Sequence, residues 1–214
     1  MITVSQLRSR IGRMINDPTL AGYEDGLFYD AIGAAFDAIL PWVPKTETLN
    51  ITGTGASSYS LPADFYQAES CEVVLTGELL PESIIIPGHY RGDTIANTND
   101  WILYPHGQIS FSKSLSVSEV YRLYYLAHWT KPTSSANLQD AIEPPEYAHN
   151  GILLYASAYM ILPSAISASE VRQFNTKVDS GTPEHNPMQA SATYLLKLFL
   201  DEMNRHPRHQ KAQR

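Results

Sequence analysis

Hydrophobic positions along this chain change their period twice, from helical to alternating and back, and so mark out three stretches. In the first, Val4, Leu7, Ile11 and Ile15 recur at helical spacing, and Thr3 with Gln6 forms a capping box that starts a helix. Arg8, Arg10 and Arg13 occupy its other face, which reads as solvated or as a contact for an acidic partner, and Asn16-Asp17-Pro18 ends it. A second helix is predicted from Glu24 or Asp25, with Phe28, Ile32, Ala35, Phe36 and Ile39 on one stripe and Gly33 and Ala34 keeping it slim. Pro41, Trp42 and Pro44 mark its exit.

The period then falls to two. Glu47 to Thr52 and Ser57 to Leu61 alternate around Gly53-Thr54-Gly55-Ala56, which predicts a hairpin, and Pro62-Ala63-Asp64-Phe65 leads to a strand at Cys71 to Leu75. Further strands are expected at Ser83 to Ile86, Trp101 to Tyr104, Gln108 to Phe111 and Val120 to Trp129, with Pro105 to Gln108 as a turn. The last of these carries rings or aliphatics on both faces and is expected to be central and covered on both sides. Lys131 to Ala141, rich in Ser, Thr, Asn and Pro, reads as a connection back to helix.

The third stretch opens with the most apolar segment of the chain. From Gly151 to Leu162 every position is apolar, aromatic or small, so a helix there has no face that prefers water. It is shorter than the roughly 20 residues of a membrane span, and a buried core helix is expected. Pro144 and Pro145 suit its first turn, and Pro163 is expected to stop it. Ser167 and Glu170 then form a capping box for a short helix through Val171, Phe174 and Val178, with Gly181 as C-cap. Asn186 caps the last helix, Pro187 and Gln189 open it, and Met188, Ala192, Leu195, Leu196, Phe199 and Met203 line one face. Leu198 and Leu200 lie off that stripe, pointing to a second contact with the β part or a neighbouring subunit.

The fold class expected is therefore α+β: a helical bundle from residues 1–44 and 142–205, with an antiparallel β-rich insertion at 45–141. Residues 206–214 form a basic tail, flexible when alone.

Composition narrows the function more than it names it. A net charge of −7 over 214 residues argues against a protein that works by neutralising phosphates. The single cysteine, Cys71, sits in a strand-like run and reads as a small buried hydrophobe. The N-terminus has no secretory h-region, so the protein is expected to stay in the cytoplasm where it is made. None of the seven histidines, His89, His106, His128, His149, His185, His206 and His209, has zinc-ligand spacing, and no serine lies in a nucleophile elbow. No catalytic, metal or cofactor residue is assigned, and an enzyme is not expected. Tyr121, Tyr124, Tyr125 and Trp129 offer a sugar-binding or base-stacking platform, but their alternation with aliphatics favours a β core. A carbohydrate- or host-receptor-binding module using this tyrosine-rich region is the alternative to a protein that binds other proteins.

The order of segments carries a resemblance. A short amphipathic helix, a second helix, a β excursion with Tyr59-Ser60-Leu61-Pro62-Ala63-Asp64-Phe65, and the strand pair near Trp101 to Phe111 resemble the head-to-tail adaptor (connector, neck) proteins of tailed bacteriophages. So does Pro144-Pro145-Glu146-Tyr147 opening a small-residue helix before two more helices. The resemblance implies a non-catalytic structural subunit of the virion neck, typically twelve copies in a ring beneath the portal that continues the DNA channel toward the tail. Its implied partners are the portal protein, further copies of itself, and tail or other neck proteins, with DNA passing unbound during ejection and no membrane. It also implies that the C-terminal segment docks on the portal, giving Arg205, Arg208, Lys211 and Arg214 acidic grooves to pair with. The acidic balance of the chain suits a conduit, since an attractive lumen would hinder DNA.

Overall fold

The computed structural model describes residues 2–82, 100–104, 107–176 and 187–206, with side chains described for all of these except 164–176 and 187. Among the described residues it contains four α-helices and seven strands in antiparallel sheets, an α+β fold. It divides into a helical unit, residues 2–44 and 129–206, and a β unit, residues 45–128.

In the helical unit, α1 (Val4–Met14) shows how completely one helix end can be satisfied. The capping box is present: Gln6 N–H donates to Thr3 Oγ1 at 3.2 Å, and Thr3 N–H to Gln6 Oε1 at 3.1 Å. Leu7 N–H donates to the Thr3 carbonyl, and those of Val4 and Ser5 to the carbonyls of Asp140 and Leu138 at 3.0 and 2.9 Å. All four amides that a helix leaves unpaired therefore have partners, two of them from a distant segment. At the other end Asn16 takes φ 60°, its N–H donates to the Arg13 carbonyl, and the Asp17 N–H reaches back to the Gly12 carbonyl, a Schellman motif with asparagine in the left-handed position. A Cβ on Gly12 would sit 2.6 Å from the Asp17 carbonyl oxygen, so the turn needs a glycine there. The Asp17 carboxylate then accepts N–H bonds from Gly22 and Ala21 and the Thr19 hydroxyl, fixing the loop to the next helix.

Helix α2 (Asp25–Ile39) buries the predicted stripe, with Phe28, Ile32, Ala35, Phe36 and Ile39 all inaccessible. Helix α3 (His149–Thr176) packs against α4 (Pro187–Met203), α2 and α1. No residue from Gly151 to Leu162 is exposed, as its apolar composition requires. Two expectations are corrected here. Pro144 and Pro145 precede the helical turns: Pro145 is extended (φ −64°, ψ 157°), and a 3-10 turn at Glu146–Ala148 leads into α3. Pro163 does not stop the helix, which runs through it to Thr176, so Ser167 and Glu170 mark no new helix start. A proline forbids one amide bond to the carbonyl four residues back, yet its own φ near −65° is helical, and here the ring is exposed. The Gly181 and Asn186 caps lie outside the described residues.

Between α3 and α4 the approach is close. A Cβ at Gly151 would lie 2.5 Å from the Met203 sulfur, and Tyr155 and Trp42 set their rings edge-on to Phe199 at 5.1 and 6.0 Å. The connection at 129–141 belongs with the helices, where its carbonyls cap α1 and the indole N–H of Trp129 donates to the Val43 carbonyl at 2.9 Å.

The β unit holds β1 (Lys45–Thr52), β2 (Ser58–Ser60), β3 (Phe65–Val73), β4 (Glu78–Leu80), β5 (Trp101–Tyr104), β6 (Gln108–Phe111) and β7 (Val120–Ala127). One sheet is ordered β1-β7-β3-β4 and the other β2-β6-β5. The expected β1–β2 hairpin does not form: β1 pairs with β7 and β2 with β6. The glycine turn between them instead passes from one sheet to the other, with Gly53 and Gly55 N–H groups bonded to the carbonyls of Glu119 and Leu115. Local turn chemistry allowed a hairpin, and long-range pairing with two later strands prevailed. The β5–β6 hairpin forms as read, with Gly107 at φ 71° in its turn. The strand expected at Ser83 to Ile86 lies outside the described residues.

Strand β7 is central, but only Tyr125, Leu126 and Ala127 are consecutively buried. Ahead of them Arg122 and Tyr124 alternate outward and bond Glu72, so that part of the strand is covered on one face. Both sheets contribute to one core around Trp101, Ile109, Leu115, Leu123 and Cys71, and the Trp101 indole N–H donates to the Leu80 carbonyl at 3.1 Å.

Candidate functional site

Reactive chemistry is scarce among the described residues. No group of three or more His, Cys, Asp or Glu side chains is placed to hold a metal ion. Cys71 is fully buried, and burial pushes its thiol up to about 12, far from a usable thiolate. His149 is 6% exposed; since a carbonyl can only accept, its Nε2 must carry the proton donated to the Pro144 oxygen at 3.0 Å. Burial lowers its pKa, so it sits as a neutral buttress at the start of α3. A hollow of about 220 Å³ among Val4, Phe36, Lys131 and Ile142 is smaller than a typical ligand site.

The aromatic residues singled out on β7 form no platform. Tyr121 and Tyr125 are 2% and 5% exposed and pack on Phe111 and Phe65 at 5.0 and 5.6 Å between ring centres. Tyr124 is half-buried with its hydroxyl on Glu72, and Trp129 belongs to the helical unit. Of the proposed docking residues, Arg205 lies just beyond α4, its side chain 73% exposed and one guanidinium nitrogen 2.6 Å from Glu202 Oε2. Arg208, Lys211 and Arg214 lie outside the described residues.

What the surface does offer is contact area. Two tight turns stand at the same end of the larger sheet, since Val74 N–H bonds the Val120 carbonyl and Val73 pairs with Tyr121. Leu75, 92% exposed, lies in one, with Gly77 at φ 68° closing it; Val117, 76% exposed, crests the other. The second turn is braced by Glu119, whose carboxylate accepts the Ser116 N–H and the Lys113 ammonium at 2.8 Å each. Sequence reading placed Leu75 inside a strand and passed over Val117. The available signal was an apolar residue beside Thr76-Gly77 and among serines, where turns ordinarily carry polar side chains.

The helical unit has exposed features of its own. On α4, Leu198 is half-buried against the core, whereas Leu200 and Tyr194 are 46% and 61% exposed. Met188, read as part of the buried stripe, is exposed as well. Charge is unevenly paired. Arg8, Lys45, Lys113, Arg122, Lys131 and Arg205 each have a carboxylate in ion-pair reach. Among the described side chains Arg10, Arg13 and Lys197 do not. Arg10 and Arg13 lie one turn apart on the exposed face of α1 and border a shallow groove with Ser5, Gln6 and Ser9.

No protein-family model matches the chain, and neither does any curated protein sequence. No helix among the described residues is long and apolar enough to cross a membrane.

Proposed function

We propose that this chain is a structural adaptor subunit of a bacteriophage neck, whose copies form a ring, typically twelve in the family it resembles, that joins the head portal to the tail and continues the DNA channel. The observation that supports it most is where apolar side chains meet water. Leu75 and Val117 lie in two turns of the β unit, the second braced by Glu119, and Tyr194 and Leu200 lie on an outer helix face. Such residues on ordered elements are what a subunit needs whose work is contact with other subunits. The order of elements, two helices, a β unit and two further helices with α3 packed against the other three, supports the helical-bundle arrangement of such adaptors.

In this reading the basic tail, with Arg205, Arg208, Lys211 and Arg214, orders on acidic grooves of the portal. The test is assembly with the cognate portal, followed by electron microscopy and native mass spectrometry. A ring of adaptor copies on the portal is expected. A protein that stays monomeric and ignores portal assemblies refutes the proposal. Deleting residues 205–214 is expected to abolish portal attachment with the circular dichroism spectrum unchanged; undiminished attachment removes the tail from the mechanism.

A further inference from the structure

The helical unit carries two exposed faces, one basic and one of mixed charge, whose side chains have groups left unpaired among the described residues. On α1, Arg10 and Arg13 lack carboxylate partners among the described residues, and Met14, 39% exposed, extends the same surface. On α4, Tyr194 and Asp201 stand two turns apart on one stripe, Leu200 flanks them, and Asp201 is exposed with no cationic partner among the described residues. Both helices turn their buried stripes inward, Leu7 and Ile11 on α1, Phe199 and Met203 on α4. Both pack on α3, and the two do not form a closely packed pair with each other.

We propose that the α1 face of one copy seats against the α4 face of the next, with Arg10 and Arg13 reaching Asp201 and Tyr194, and Met14 lying against Leu200. Guanidinium groups suit both partners, pairing with a carboxylate and stacking on a tyrosine ring. Lys197 lies on the same α4 stripe and sets a limit on the approach, favouring contact at the Tyr194 and Asp201 ends over its centre. The two faces differ, so the contact is heterologous: it leaves an unfilled face at each end and is completed by closing into a ring. This rests on the ring reading above and adds which surfaces make the ring.

Cysteine crosslinking tests it. Because Cys71 is buried, cysteines introduced by Met14→Cys and Leu200→Cys are the reactive thiols. Rings assembled on the portal are treated with a short bis-maleimide and run on a denaturing gel. The double variant is expected to give a ladder beyond the dimer, and neither single variant a crosslinked product. A ring that forms normally but yields no ladder overturns this contact and leaves the adaptor reading standing. Dimers from either single variant mean a symmetric contact and overturn it too. If the wild-type chain forms no ring, both readings fall together. As a second arm, Arg10→Glu with Arg13→Glu is expected to lower ring yield at least about tenfold, and adding Asp201→Arg to recover part of it. Equal yields from the wild type and both variants refute the pairing.

Discussion

The close approach of α3 and α4 at Gly151 makes a prediction whose sign depends on its partner. At Gly151 an added Cβ falls 2.5 Å from the Met203 sulfur, over an ångström inside normal contact distance. Gly151→Ala gains about 1 kcal/mol of helix propensity and incurs an overpacking cost of about 1–3 kcal/mol, so a net destabilisation of about 0–2 kcal/mol is expected. Met203→Ala removes a fully buried side chain and is expected to cost about 2–5 kcal/mol. In that background the clash is gone while the propensity gain remains, so Gly151→Ala should stabilise by up to about 1 kcal/mol. The readout is urea unfolding followed by circular dichroism for the four proteins of the cycle, with the coupling taken at unchanged m-value. If Gly151→Ala costs the same in both backgrounds, Met203 is not what requires glycine on α3, and the packing described there is wrong.

Three further outcomes follow from other sites. Gly53→Ala places a Cβ on the backbone carbonyl of Ser116, which no side-chain movement relieves, so it should cost at least the upper end of the roughly 1–3 kcal/mol range for overpacking; a midpoint unchanged in urea contradicts it. Cys71, with its thiol pushed up to about 12, is expected to resist an aromatic disulfide reagent at pH 8 until the protein is unfolded, since only about one thiol in ten thousand is ionised there. Rapid native labelling would show that the strand is open. For His149, burial depresses the folded pKa, so below the unfolded value near 6.5 the unfolded chain binds the extra proton and stability falls with pH until the folded group titrates. His149→Gln should flatten the dependence of the urea midpoint on pH across that window, and an unchanged slope would assign it to other groups.

How far the chain could be read before folding depended on the range of the interactions involved. The α1 capping box, the α2 stripe and the β5–β6 hairpin are set by residues within a few positions of one another, and each was legible in the spacing. Strand pairing was not: β1 and β2 join partners some fifty to eighty residues away, and nothing in Gly53 to Ala56 records that choice. Pro163 misled for a different reason, since its local rule forbids one bond and says nothing about the buried surface on either side. The exposed positions were the least legible. Leu75 reads as a strand residue, and nothing in the pattern singles out Val117 or Tyr194, because hydrophobicity marks burial without saying whether the covering surface lies in the same chain.

The carbonyls of Leu138 and Asp140 that cap α1 also bear on the order in which the chain is made. The first helix emerges from the ribosome about 130 residues before those acceptors, which at ~5–20 residues per second leaves the Val4 and Ser5 amides without those partners for on the order of ten seconds, its capping box alone closing that end. Over the same interval residues 45–128 appear as one continuous segment, with every strand pair of both sheets inside it. The β unit is thus free to fold during synthesis while the helical unit waits for its second half. The bonds from α1 to Leu138 and Asp140 then close across a loop that a folded β unit would already have shortened.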